Sequence, residues 1–125
     1  MEPTLDEFLK NPKPYANNSY VTEPGWKSLY VRRTSRYTNG LFRHLVLDLA
    51  NIEAEKPGHG AFRALVSRLR RDYPKWTLYV ESVLSKQFIA GLEKMGFHRV
   101  GGPFEIEFSP NFYLAPEDQW PATKP

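Results

Sequence analysis

Two glycines one residue apart, Gly58 and Gly60, separate a run of β-formers from a run with helical periodicity. A strand that stops in such a turn and feeds a helix makes an anion site. The first N–H groups of the helix have no internal partner, and its dipole adds partial positive charge. Glycine lets a phosphate approach the backbone closely. Gly58, His59, Gly60, Ala61 and Phe62 are the residues whose N–H groups would meet a pyrophosphate. The same spacing also serves a plain tight turn, so it leaves that alternative open. It is not a P-loop, because no Lys-Ser or Lys-Thr follows Gly60. Arg63 stands where the third glycine of a dinucleotide fingerprint would be.

Carboxylates flank this turn in sequence. Glu53 ends the preceding strand and Glu81 lies in the following one. A glutamate works as a general base, directly or through water, only where burial raises its pKa toward neutrality, and neither position alone shows that. The alternatives are a solvated strand-end carboxylate for Glu53 and a structural hydrogen-bonding role for Glu81. Asp48 sits inside an apolar strand and reads as the ion-pair partner of an arginine such as Arg32, or as a loop cap. Tyr79 and Tyr113 read as packed aromatics with the hydroxyl at the surface. Ser85 reads as the N-cap of a helix, a role compatible with hydrogen bonding to a ligand. His44, His59 and His98 have no ligand spacing, so no metal site is expected. His59 either touches a phosphate or is simply exposed.

These residues sit on a chain of 125 residues, the size of one domain. The absence of cysteine excludes a disulfide framework, a thiolate metal site and a cysteine nucleophile. No basic segment leads into an apolar run at the start, and no apolar run approaches the ~20 residues that span a bilayer. The expectation is a cytoplasmic protein without membrane contact. The net charge of +3 is too small to argue for nucleic acid. Arg32, Arg33, Arg36 and Arg43 form one basic cluster, and Arg63, Arg68, Arg70 and Arg71 another. Each reads first as a solvated face, and otherwise as an attractor for a polyanion. With no nucleic-acid motif beside them, a nucleic-acid partner is not expected.

The elements that must position the site follow from periodicity. Residues 4–10 read as a short helix with Thr4 as cap and Glu7 at the capping-box position. Residues 11–25 read as irregular. Trp26–Tyr37 and Leu41–Glu53 read as an antiparallel pair joined by Asn39-Gly40. Leu45, Leu47 and Leu49 are assigned to one face of the second strand, and Val46, Ala50 and Ile52 to the other. Being apolar on both faces, this strand should be central. A helix follows from Ala61 to Tyr73, then a strand Trp76–Val83, then a helix Ser85–Met95 closed by Gly96. His98–Val100, Phe104–Phe108 and Asn111–Leu114 read as short closing strands. One domain results: an N-terminal helix and irregular arm over 1–25, a core over 26–114, and a Pro-rich tail over 115–125.

The run from Ile52 to Val83, followed by Ser85 to Phe97, resembles the acetyl-CoA-binding half of GNAT (GCN5-related) N-acetyltransferases. Lys94-Met95-Gly96-Phe97 is similar to the family's closing-helix signature. The wider likeness, to small GNAT-like proteins of phages and bacteria, covers about residues 28–114. It implies an α/β (α+β) fold with a GNAT-like mixed central sheet: a strand–Gly-turn–helix–strand–helix core and short closing strands. It also implies two strands that splay apart around the pantetheine of acetyl-CoA. Asn51, Ile52 and Glu53 would form one lip, and Glu81 and Ser82 the other. Gly58, His59, Gly60, Ala61 and Phe62 would hold the phosphates. Lys56, Arg63 and Arg68 are candidates for the 3′-phosphate end.

The implied activity is transfer of acetyl from acetyl-CoA to a primary amine of a protein or small molecule by direct attack. Glu53 or Glu81 would be the base, and Tyr113 or Tyr79 the acid. The alternative is a non-catalytic GNAT-fold interaction or structural module, possible for a phage-encoded protein in the host cytoplasm, as monomer or homodimer. Four positions depart from the family pattern. Pro57 replaces Arg or Gln, Phe62 replaces Gly or Ala, Leu92 replaces the usual tyrosine acid, and Ser85 replaces an amide side chain.

Overall fold

The structure is a computed structural model and describes residues 2–11, 17–81, 83, 85–101 and 110–121. Its elements are α1 (Leu5–Lys10), β1 (Asn18–Tyr20), β2 (Trp26–Thr38), β3 (Leu41–Ala54), α2 (Ala61–Asp72), β4 (Thr77–Val80), α3 (Lys86–Met95), β5 (His98–Arg99) and β6 (Phe112–Leu114). A long hairpin, β2–β3, organises the sheet. Asn39 and Gly40 both take positive φ, 50° and 94°, which matches the twist of the strands they join. β3 then leaves the hairpin through the glycine turn, and α2 carries the chain over to β4, which lies parallel to β3. The described strands form one mixed sheet in the order β1-β2-β3-β4-β6-β5, with every neighbouring pair except β3–β4 antiparallel.

One face of this sheet carries the main core. Leu29, Val31, Leu47, Leu49, Leu78, Val80, Phe112 and Leu114 pack with apolar residues of all three helices. Strand alternation sends the intervening residues to the opposite face, where Val46, Tyr79, Tyr113 and Ala115 form a smaller cluster. α1 has the expected capping box, with Thr4 and Glu7 each accepting from the other's N–H at 3.1 Å.

The expected elements that fall on the described residues are present, with corrections at particular residues. The stretch read as irregular contains β1, a three-residue edge strand rich in weak β-formers. The strand expected over Trp76–Val83 is only Thr77–Val80. The alternation read along β3 is also broken. Tyr30 pairs with Asn51 and Val31 with Leu49, so Ala50 is an extra residue in a β-bulge. The bulge shifts the phase by one. Ile52 therefore packs toward the main core on the same face as Leu47 and Leu49. Leu45, assigned to that face, lies beyond the β4 pairing and is exposed. The closing strand expected at Phe104–Phe108 lies outside the described residues, as does Ser82.

Candidate functional site

The parallel pairing of β3 and β4 runs only from Val46↔Thr77 to Leu49↔Val80. Past that point β3 continues to Ala54, paired among the described residues with β2 alone, and β4 has ended at Val80. The bulge at Ala50 sits at this divergence. Between the parting strands lies a cavity of about 230 Å³, walled by Leu49, Ala50, Asn51 and Ile52 on one side and Val80, Glu81, Val83 and Ser85 on the other. Ile52, Ser85 and Phe88 also border a second groove of about 480 Å³, which runs along Pro57, Gly58, Gly60, Ala61 and Phe62.

The glycine turn makes one end of this groove. Gly58 and Gly60 both have φ of 81°, a backbone that a side chain would strain. Gly60 caps α2, and no side chain caps that helix, so its first N–H groups remain available. His59 is exposed, one of its two expected placements. Its N–H donates to the Lys56 carbonyl at 3.3 Å, and it does not line the groove. The large ring of Phe62 turns inward, edge-on to Phe88 at 5.0 Å and against Phe97 at 5.8 Å. Ser85 is the N-cap of α3, accepting from the Phe88 N–H at 3.2 Å, and its hydroxyl hydrogen has no acceptor among the described residues. Trp26, for which the sequence left open a wall of the acceptor site or plain packing, lines the groove, as does Gln87, which sequence reasoning missed. For Gln87 the available clue was its place in the first turn after Ser85.

The two candidate bases separate. Glu53 is exposed, pairs with Lys27 at 3.5 Å and lines neither cavity. Glu81 lines the gap and is mostly shielded. Its Oε2 accepts from Arg36 Nη2 at 3.2 Å, and its Oε1 lies 3.5 Å from Arg32 Nη1. Asp48 is fully buried and takes its hydrogen bond at 2.7 Å from Arg36, not from its cross-strand neighbour Arg32. Burial, then the nearby Glu81 carboxylate, pushes the Asp48 carboxyl up to about 6 against the pull of Arg36. For Arg36, burial opposes the charge, but the hydrogen bond and charge of Asp48 outweigh it and hold the guanidinium above its ordinary value. The Arg36 guanidinium also lies 4.4 Å from the Tyr79 ring centroid.

Tyr113 is buried in the opposite-face cluster, where its hydroxyl accepts from Asn39 Nδ2 at 3.4 Å; it lines neither cavity. Tyr79 belongs to the same cluster, and burial raises its hydroxyl pKa. Leu92 is fully buried in the main core. The arginine clusters are solvated faces only in part: Arg63 and Arg71 are exposed, and Arg32 is half-exposed. Arg36 and Arg43 are mostly shielded and ion-paired, and Arg68 is held by Asp6 and Glu23, away from the groove. Arg63 lines the groove, its guanidinium 5.4 Å from the Trp120 ring centroid.

The described residues thus define a mixed α+β protein whose one parallel strand pair parts over a groove reaching the starts of two helices. Among them, no helix is long and apolar enough to cross a membrane. The chain matches no protein-family model, no curated protein and no solved structure.

Proposed function

We propose that this chain is a GNAT-type, acyl-CoA-dependent N-acyltransferase that moves acetyl from acetyl-CoA to a primary amine. The observation that carries the reading is the parting of β3 and β4 after Leu49 and Val80, over a gap continuous with the groove at the glycine turn. The sheet order, with its single parallel pair bridged by α2, supports it as well.

Acetyl-CoA supplies an activated thioester, so the protein must position, polarise and move protons. The edge of β3 at Ala50–Ile52, unpaired toward β4 among the described residues, offers backbone groups to the pantetheine amides. The N–H groups of Ala61, Phe62 and Arg63 receive the pyrophosphate. Glu81, the carboxylate lining the gap, takes the proton from the amine, and the Ser85 hydroxyl donates toward the leaving sulfur.

Calorimetric titration with acetyl-CoA, with CoA and ATP as comparisons, tests this directly. Micromolar binding that prefers acetyl-CoA over ATP is expected. Ala61→Glu should weaken it at least ~10-fold, because a carboxylate then faces the phosphates. Acidic residues suit a first helical turn, so the melting temperature should hold. Absence of binding at millimolar acetyl-CoA would end the proposal.

A second reading, a non-catalytic module on the same fold, is favoured by Leu92. It stands where the family has its tyrosine acid and is wholly committed to the core. That reading expects acetyl-CoA to bind or not without any turnover across an amine panel.

A further inference from the structure

Arg36 Nη2 donates to two carboxylates at once, Asp48 Oδ2 at 2.7 Å and Glu81 Oε2 at 3.2 Å. One acid from β3 and one just past the end of β4 therefore converge on one nitrogen, and the second of them lines the gap. Asp48 has no exposed surface, and its Oδ1 is buried with no hydrogen-bond partner among the described residues. Arg36 Nε is likewise buried and unpartnered there. The groups facing Asp48 are Arg32 and Arg36 from β2, Tyr79 from β4, and Glu81 just past the end of β4. Tyr113 of β6 lies next, paired with Tyr79.

Two like charges this close, one of them without water, resist ionising together. A single proton held between them resolves the conflict: the protonated acid donates to the other, and the remaining charge is balanced by Arg36.

We infer that Asp48 and Glu81 form one proton-sharing carboxyl pair, Glu81 being the member that faces the gap and Asp48 the buried store behind it. The pair's use in catalysis rests on the acyltransferase reading; its existence does not. In that use, the ionised pair takes one proton from the acceptor ammonium. The freed amine lone pair forms the C–N bond at the thioester carbonyl, and the C–S bond breaks with its electrons going to sulfur. The second amine proton ends on that sulfur, giving amide and free thiol. Asp48 does not touch the substrate and is a positioning residue that acts through Glu81. The environment of Asp48 agrees, since burial and the Glu81 carboxylate both favour its protonated form.

Carboxyl-carbon NMR of the full chain, labelled at Asp and Glu and titrated from acid to mildly alkaline pH, tests the pair without turnover. The Asp48 resonance should titrate above the ordinary carboxylate range, and the Glu81 resonance should move in the same step. Glu81→Gln removes the neighbouring charge, so the Asp48 midpoint should fall by about one unit. An Asp48 midpoint unmoved by Glu81→Gln, or a carboxylate ionised throughout, would overturn the pair. A second arm reads the pH dependence of kcat/KM for acetylation. Asp48→Asn should shift its acid limb while leaving acetyl-CoA affinity unchanged. An unshifted limb overturns the catalytic use alone. A wild-type chain that fails to bind acetyl-CoA ends the acyltransferase reading and leaves the NMR result to decide the pair.

Discussion

Asp48 shows how one buried side chain couples the sheet to pH. Its carboxyl is raised from 3.8 to about 6, burial being the largest cause. A raised carboxyl means the folded state holds the proton more tightly than the unfolded chain does. Its contribution to stability is therefore greatest below about pH 4 and is lost as pH rises through 6. At ~1.4 kcal/mol per unit, Asp48 costs on the order of 3 kcal/mol at neutral pH, about a third of it already lost by pH 4.5. Glu117 works in the opposite sense: its hydrogen bond to Arg43 holds its carboxyl down at about 2, so its contribution is lost only as pH falls below the ordinary carboxylate value. Urea denaturation at pH 4.5 and pH 7 isolates the first effect. The wild-type loss between those values should shrink by about 2 kcal/mol in Asp48→Asn. An identical loss in the variant would show that Asp48 titrates normally. The sequence made Asp48 legible as an ion-pair partner, because a carboxylate inside an apolar strand needs one. It did not give the right arginine. Arg32 is the cross-strand neighbour, yet Arg36 makes the bond.

The elements divide into those fixed by local chemistry and those that depend on distant pairing. α3 belongs to the first kind. Ser85 caps it, and Gly96 closes it at φ 100°, both as read from residue type and position. The phase of β3 belongs to the second. No residue type announces the bulge at Ala50, because the extra residue exists only relative to β2. For the same reason the length of β4 was overestimated: Glu81 and Val83 suit a strand, but β3 has already diverged. Ser85 supplies the prediction at this scale. Ser85→Ala should cost α3 about 1 kcal/mol, seen as a lower melting temperature, and Ser85→Asp should restore it because a carboxylate also accepts from the Phe88 N–H. If the hydroxyl also donates to the leaving sulfur, Ser85→Asp will recover stability without recovering acetylation. Equal recovery of both would remove Ser85 from the chemistry and leave it a cap.

Across the whole molecule, ion pairs between residues far apart in sequence decide what the arginines do. Arg68 was a candidate for a phosphate and for a solvated face. In the fold its Nη1 meets Asp6 of α1 at 3.0 Å, and its Nε and Nη2 grip Glu23 at 2.9 and 2.8 Å. Tyr73 adds a hydroxyl bond to Asp6 at 2.6 Å, the largest reason that the Asp6 carboxyl is held below its ordinary value. Sequence patterns describe neighbours along the chain, and these partners are 45 to 67 residues apart, so none of this was legible. Arg68 thereby fastens α1 and the approach to β2 onto α2. Leu5, Phe8 and Leu9 still bury α1 without it, so its loss should loosen one segment and leave the sheet intact. The groups are only partly shielded, so Arg68→Ala should cost about 2 kcal/mol, less than a fully buried pair. Hydrogen exchange locates that cost. Amides of α1 should lose protection ~10-fold or more, while those pairing β2 with β3 keep theirs relative to global unfolding. Uniform loss across the sheet would mean that α1 and the hairpin unfold as one unit. Unchanged exchange in α1 would mean that its apolar face alone holds it and the arginine adds nothing.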